Sequence, residues 1–137
     1  MQPLLWDTCA ALWIYENAKL SQAALDVLSA AYRESVSSYI SPITAWEVGM
    51  LVSRGRLQLL VRPERWFANL FDTPGVRLAD MSPDLLIASS NLPGKPPRDP
   101  FDRVLLATAR ELGATLITRD RALLDYGRQG HVAAVEC

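Results

Sequence analysis

An α/β fold with a parallel sheet is predicted by three features of this sequence. Short apolar runs alternate with helical patterns along the whole chain. Acidic residues recur where such a run hands over to a helix, and 137 residues suit one domain spanning 1–137. In chain order, Pro3–Trp6 is an apolar strand ending at Asp7-Thr8, and the helical stretch after it breaks near Glu16–Lys19. The next helix carries Ala23, Ala24, Val27, Leu28 and Ala31 on one face. Ser38–Ile40 is a strand entering Ser41-Pro42, and a helix from Thr44 to about Ser53 stops at Gly55. Arg62–Phe71 is a helix ended by Thr73-Pro74-Gly75, Val76–Ala79 a strand and Pro83–Ser90 a helix. Leu92–Arg98 holds three prolines and a glycine and is a loop inside the domain. Asp99 opens a helix to Leu112 that Gly113 stops. Ala114–Ile117 is a strand ending in Thr118-Arg119-Asp120, a short helix reaches Tyr126-Gly127, and Val132–Val135 is the last strand.

Composition narrows the function classes. Half of the residues are hydrophobic and 21% are charged, which excludes a disordered chain. No apolar run approaches the ~20 residues of a membrane span, so a membrane partner is not expected. The start reaches Asp7 too early for a secretory signal, and a cytoplasmic location is expected. Cys9 and Cys137 are too few for a disulfide scaffold or a cysteine-rich zinc site. The net charge of -1 argues against nucleic acid only if the acids are spread evenly. Setting aside four acids gathered at one place leaves the remainder positive, and its cations are nearly all arginine, which suits bidentate phosphate contacts.

Four places put acids at strand-to-helix junctions: Asp7, Glu47, the Asp99/Asp102 pair, and Asp120. Each has a purely structural reading. Thr44-x-x-Glu47 fits a capping box. Asp99-Pro100-Phe101-Asp102 fits an N-cap, a first-position proline and an acid at the third position. Asp7 and Asp120 fit as caps of the helices they precede. The conjunction says more than any single acid. Ligands of open parallel sheets bind beyond the carboxyl ends of the strands, at the switch point. Carboxylates converging there repel one another unless protonated or metal-bound. All-oxygen ligation favours a hard cation, Mg²⁺ or Mn²⁺.

Leu4-Leu5-Trp6-Asp7-Thr8 and Ser41-Pro42-Ile43-Thr44-Ala45-Trp46-Glu47-Val48 resemble the opening of the PIN-domain ribonucleases. Asp99-Pro100-Phe101-Asp102-Arg103-Val104-Leu105-Leu106-Ala107 and Leu116-Ile117-Thr118-Arg119-Asp120 are similar to that family's later motifs, in order. The resemblance is to the VapC toxins of toxin–antitoxin pairs and runs from Leu4 to about Tyr126. It implies a three-layer α/β/α domain around a short, mainly parallel central sheet. It implies a metal-dependent endoribonuclease in which Asp7, Glu47, Asp102 and Asp120 are catalytic and hold Mg²⁺ or Mn²⁺. Asp99 is an additional acid of the subgroup, and Thr8 and Thr118 are placed to hydrogen-bond the acids. Arg103, Arg119 and Arg121 are candidates for phosphate contacts, with an internal ion pair as the alternative for Arg103. A histidine that often precedes the Asp-Pro-Phe-Asp-Arg run is replaced here by Lys95-Pro96-Pro97-Arg98. The partners implied are an RNA substrate, a cognate antitoxin protein laid across the acids, and a second copy in a homodimer.

Other chemistries lack their residues. His131 is the only histidine, so two-histidine cleavage of RNA is excluded, and it is expected near the surface. There is no Gly-x-Ser-x-Gly elbow or phosphate loop. Cys9 has no histidine nearby to activate it and is expected at a buried helix position. Trp6, Trp13, Trp46 and Trp66 are expected in core or dimer packing rather than stacked on bases. A phosphoacceptor receiver domain needs a lysine after a late strand, and Lys19 and Lys95 fall elsewhere. A non-catalytic RNA- or protein-binding module on the same fold is the alternative that remains.

Overall fold

Leu4, Leu5 and Trp6 form the central strand β1 (Leu4–Trp6), apolar on both faces as a strand covered on both sides must be. The computed structural model describes all residues, Met1–Cys137. After β1 come α1 (Thr8–Tyr15), α2 (Gln22–Arg33), β2 (Ser38–Ile40), α3 (Pro42–Ser53) and α4 (Pro63–Leu70). Then follow β3 (Val76–Leu78), α5 (Pro83–Ser89), α6 (Pro100–Leu112), β4 (Thr115–Thr118), α7 (Arg121–Arg128) and β5 (Ala133–Glu136). The five strands are all parallel in the order β3-β2-β1-β4-β5. Trp6 stands opposite Ile40 of β2 on one side and Ile117 of β4 on the other. The chain leaves β1 towards β2 and later returns across it to β4, so the switch point lies between β1 and β4.

Alternation along the short strands sorts the core into two layers. Leu4, Trp6, Ile40, Val76 and Ile117 face a cluster with Ala10, Ala11, Ala24, Ala31, Trp66 and Leu70 from α1, α2 and α4. Leu5 and Leu116 face the opposite cluster, with Leu85, Leu105, Leu106, Leu123 and Tyr126 from α5, α6 and α7. The three-layer α/β/α arrangement is the expected one. No helix is long and apolar enough to cross a membrane.

Helix ends are set by side chains already visible in the sequence. Ser21, Ser41 and Ser82 each accept a backbone N–H in the first turn of the helix they open. Gly113 ends α6 in the left-handed region at φ 61°, where a side chain would be strained. Two expectations need correction. α3 begins at Pro42, not Thr44, because Ser41 caps it and proline at the first position needs no donor. On α2, Ala23 is exposed; Ala24 and Ala31 are buried, and Val27 and Leu28 of the expected face pack against the same core.

Leu106 is fully buried on α6, whereas Leu86 on α5 is 41% exposed. Leu106→Ala should lower unfolding free energy by about 3 kcal/mol, and Leu86→Ala by less than about 1 kcal/mol. Urea denaturation of both variants checks the contrast.

Candidate active site

At the switch point, the turns after β1 and β4 are joined through one carboxylate. Asp7 follows β1 and caps α1, its Oδ1 accepting from the Ala10 N–H at 2.7 Å. Its backbone N–H still donates to Ile117 O on β4, at 3.1 Å. Its Oδ2 accepts from the Thr118 hydroxyl. Thr118 Oγ1 in turn accepts from the Asp120 N–H at 3.0 Å, and Asp120 Oδ1 accepts from Leu123 N–H to cap α7. Asp7 is only 4% exposed and Thr118 is fully buried.

Around this pair stand the other acids. Asp99 caps α6 through Oδ1, 2.8 Å from Phe101 N, and Asp102 follows at the third helical position. Glu47 lies inside α3, more than a turn beyond its Ser41 cap, so the capping-box reading of Thr44 and Glu47 does not hold. Burial pushes Asp7 up to about 6 against the lowering by Thr118 and Ala10, and the charges of Asp120 and Glu47 add to the rise. Burial also pushes Asp102 up to about 7, reinforced by Asp120, Asp99, Glu47 and Asp7. These carboxylates therefore act on one another as a single electrostatic unit.

No cation of the chain neutralises them. The two ion pairs in the structure, Arg62–Glu64 and Arg128–Asp125, lie elsewhere. The acids are not drawn into a closed cage: no three acidic, histidine or cysteine side chains are gathered tightly enough to hold an ion as they stand. The donor set nonetheless fits a hard divalent cation, being anionic, all-oxygen and unpaired. Closing on an ion asks for side-chain rotation at half-buried Glu47 and exposed Asp120, with Asp7 as the fixed point.

Thr118 takes the expected place against Asp7, but Thr8 does not reach an acid. Its hydroxyl is 3.2 Å from that of Thr44, a buried contact joining α1 to α3. Thr44 was legible only as a cap, since nothing in its spacing points to Thr8. Arg103 forms no internal ion pair; its Nη1 donates to Ser89 O at 3.4 Å. Arg119 is already engaged, with its guanidinium 3.7 Å from the Trp13 ring centroid and its Nε donating to Cys137 O. Arg121 is exposed at the start of α7. Cys9 is exposed rather than buried, because it lies on the side of α1 turned away from the sheet core; partial burial and the charges of Asp7 and Glu47 push its thiol up to about 11. His131 sits before β5 with its ring 5.0 Å from Tyr126. Trp6 and Trp66 are core residues, whereas Trp46 is 62% exposed.

The raised acids fix the sign of a pH effect. A carboxyl whose folded pKa lies above its unfolded value holds its proton more tightly in the native state. Its stabilising contribution is complete below about 4 and is lost as pH climbs through 6 to 7. The size for Asp7 alone is about 3 kcal/mol. In EDTA the protein should therefore melt lower at pH 8 than at pH 5, and Asp102→Asn should narrow that difference. Thermal melts of both proteins at the two pH values check it.

Comparison with known proteins agrees with this geometry. The sequence profile described as PIN domain matches residues 4–129. Ribonuclease VapC22 of Mycobacterium tuberculosis is 32% identical over 127 residues, covering 92% of this chain and 93% of that protein. Among solved structures, VapBC2 from Rickettsia felis bound to a promoter DNA fragment is similar with a TM-score of 0.65. It is 14% identical, and 98% of each chain is covered. FitAcB from Neisseria gonorrhoeae is similar with a TM-score of 0.56 at 17% identity, over 96% of this chain and 95% of that one. At such identities the two structures speak for the fold.

Proposed function

The chain belongs to the PIN-domain family, and from that premise we propose that it is a metal-dependent endoribonuclease, the toxin of a toxin–antitoxin pair. The observation that carries this reading is the buried, twice hydrogen-bonded Asp7 at the switch point, with Glu47 and Asp120 repelling its charge, Asp102 raised by the same acids, and no cation of the chain to offset them. The 32% identity to a protein named as a ribonuclease supports RNA as the substrate.

Asp7, Glu47, Asp102 and Asp120 would hold one or two Mg²⁺ or Mn²⁺ ions. Such an ion supplies Lewis-acid stabilisation of charge developing on the phosphate and eases ionisation of water. The protein's own part is positioning. Thr118 and the α1 N-terminus hold Asp7 with both oxygens directed. Glu47 or Asp120 orients the attacking water and accepts its proton. The water oxygen bonds to phosphorus, the bond from phosphorus to the 3'-oxygen breaks, and that oxygen takes a proton from solvent water as it leaves. The 2'-hydroxyl takes no part, so the products are a 5'-phosphate and a 3'-hydroxyl. Exposed Arg121 is the freest of the three arginines for a phosphate contact, since Arg119 is held on Trp13 and Arg103 on Ser89.

Asp7→Asn and Asp102→Asn should each lower RNA cleavage about a hundredfold or more without unfolding the chain. EDTA should stop the wild-type reaction, Mg²⁺ or Mn²⁺ should restore it, and the same ions should raise the melting temperature. An oligoribonucleotide assay with parallel melts checks both. Protein that binds neither ion and cuts no RNA would instead be the non-catalytic module on this fold.

A nuclease of this kind in a cytoplasm needs restraint, and VapBC and FitAB complexes are the structural neighbours. The proposed partner is a small co-encoded antitoxin that presents a basic residue to the acids, with the chain itself a homodimer. Co-expression with the neighbouring gene product should give a complex on sizing in which RNA cleavage is lost. A lone monomer that no neighbour inhibits would remove the toxin claim and leave the nuclease claim.

A further inference from the structure

Asp102 and Asp120 open different helices, and the chain ties those helices together at a place remote from both acids. α7 is capped at one end by Asp120 and at the other by Gln129, about 12 Å away along the helix. Around Gln129 the protein grips the loop that leads into α6. Gln129 Oε1 accepts from the Lys95 N–H at 3.1 Å, and its Nε2 donates to Lys95 O at 3.2 Å. One side chain thereby satisfies both backbone groups of an exposed loop residue, as a neighbouring strand would. The Tyr126 hydroxyl, one turn earlier on α7, donates to Pro93 O at 2.6 Å. Gly94 lies between these two contacts with φ at 71°. A Cβ there would stand 2.3 Å from His131 Nε2 and 2.9 Å from Gln129 Oε1, so only glycine fits.

The link from this grip to the acids is stiff. From Lys95 to Pro100 every residue except Arg98 is a proline or immediately precedes one, so φ or ψ is restricted at each. Asp99, extended at ψ 122°, then caps α6. The core holds α6 through the buried run Val104–Ala109, whereas Asp99 and Pro100 are exposed and Phe101, Asp102 and Arg103 half-buried. The first turn, which carries Asp102, therefore depends on how the chain enters it. Beyond burial, the charge of Asp120 is the leading cause of the raised Asp102 carboxyl, so the gripped helix bears that acid's chief electrostatic neighbour at its other end. We propose that Gln129, helped by Tyr126, is a positioning residue: it locks the Pro93–Lys95 backbone to α7, and the proline strap carries that constraint to Asp102, fixing its spacing from Asp120 for a shared divalent cation. This assignment rests on the metal-dependent ribonuclease reading and adds to it residues that touch none of the acids.

The test titrates Mn²⁺ alone into the full chain by calorimetry, beside thermal melts in EDTA and cleavage of an oligoribonucleotide at limiting and saturating Mn²⁺. Gln129→Ala should weaken Mn²⁺ binding about tenfold, and Tyr126→Phe, which removes only the hydroxyl, should weaken it less. Pro96→Gly combined with Pro97→Gly leaves the grip and loosens the strap, and it should weaken binding as Gln129→Ala does. Joining all three changes should add little further loss, because they break one path. Cleavage by these variants should fall at limiting Mn²⁺ and recover at saturating Mn²⁺. A Gln129→Ala protein that binds Mn²⁺ as the wild type does, whatever its melting temperature in EDTA, overturns the proposal and leaves the grip a loop anchor only. Weakened binding in Gln129→Ala with wild-type binding in the proline variant also overturns it, since the effect then runs through α7 and not through the strap. Wild type that binds no Mn²⁺ and cuts no RNA overturns the metal-dependent reading beneath it.

Discussion

The top of this sheet depends on one carboxylate kept out of water. Taking Asp7 to 4% exposure disfavours its charged form, and two hydrogen bonds return only part of what hydration supplied. Those two bonds come from different pieces of the chain, the first turn of α1 and the last residue of β4. Thr118 then passes the constraint on by accepting from the Asp120 amide. The loops leaving the two strands at the switch point therefore cannot move independently. An acid in a rigid, partly dehydrated setting is poor for stability and well suited to holding a reacting group in place.

The sheet was legible in sequence to within about a residue at each strand, because short, largely apolar runs between helical patterns leave few alternatives. A mainly parallel sheet was expected because helices separate every pair of strands, and all five strands prove parallel. What periodicity did not resolve was the start of α3. Ser41-Pro42 carried the true signal, a cap followed by a first-position proline, while Thr44-x-x-Glu47 offered a competing and equally regular pattern. The Ala23/Ala24 ambiguity on α2 has a related cause. Neighbouring alanines differ by 100° around a helix, and nothing in their chemistry says which one meets the sheet.

The acids of the site were legible as residue types at strand ends, and their burial was not. Sequence offers no way to tell that Asp7 is enclosed while Asp99 and Asp120 are exposed. Nor does it show that Thr8 spends its hydroxyl on Thr44, a residue 36 positions away. Trp46 was hidden for a different reason. Four tryptophans in apolar company read as core or dimer packing, and sequence does not tell which of them a single chain leaves exposed, as it does Trp46.

Capping and site-building first look like rival explanations for these acids, and the structure shows they are compatible. A cap uses one oxygen: Asp7, Asp99 and Asp120 all accept through Oδ1. Each also places a carboxylate at the positive end of a helix, and α1, α6 and α7 all begin at this edge of the sheet. Partial positive charge from three helix starts offsets some of the mutual repulsion before any ion arrives. Asp102 shares in this, being in the first turn of α6. Glu47 does not, because it stands more than a turn inside α3 and has no amide to satisfy. Of the four acids it is thus the one that neither caps a helix nor sits in a helix's first turn.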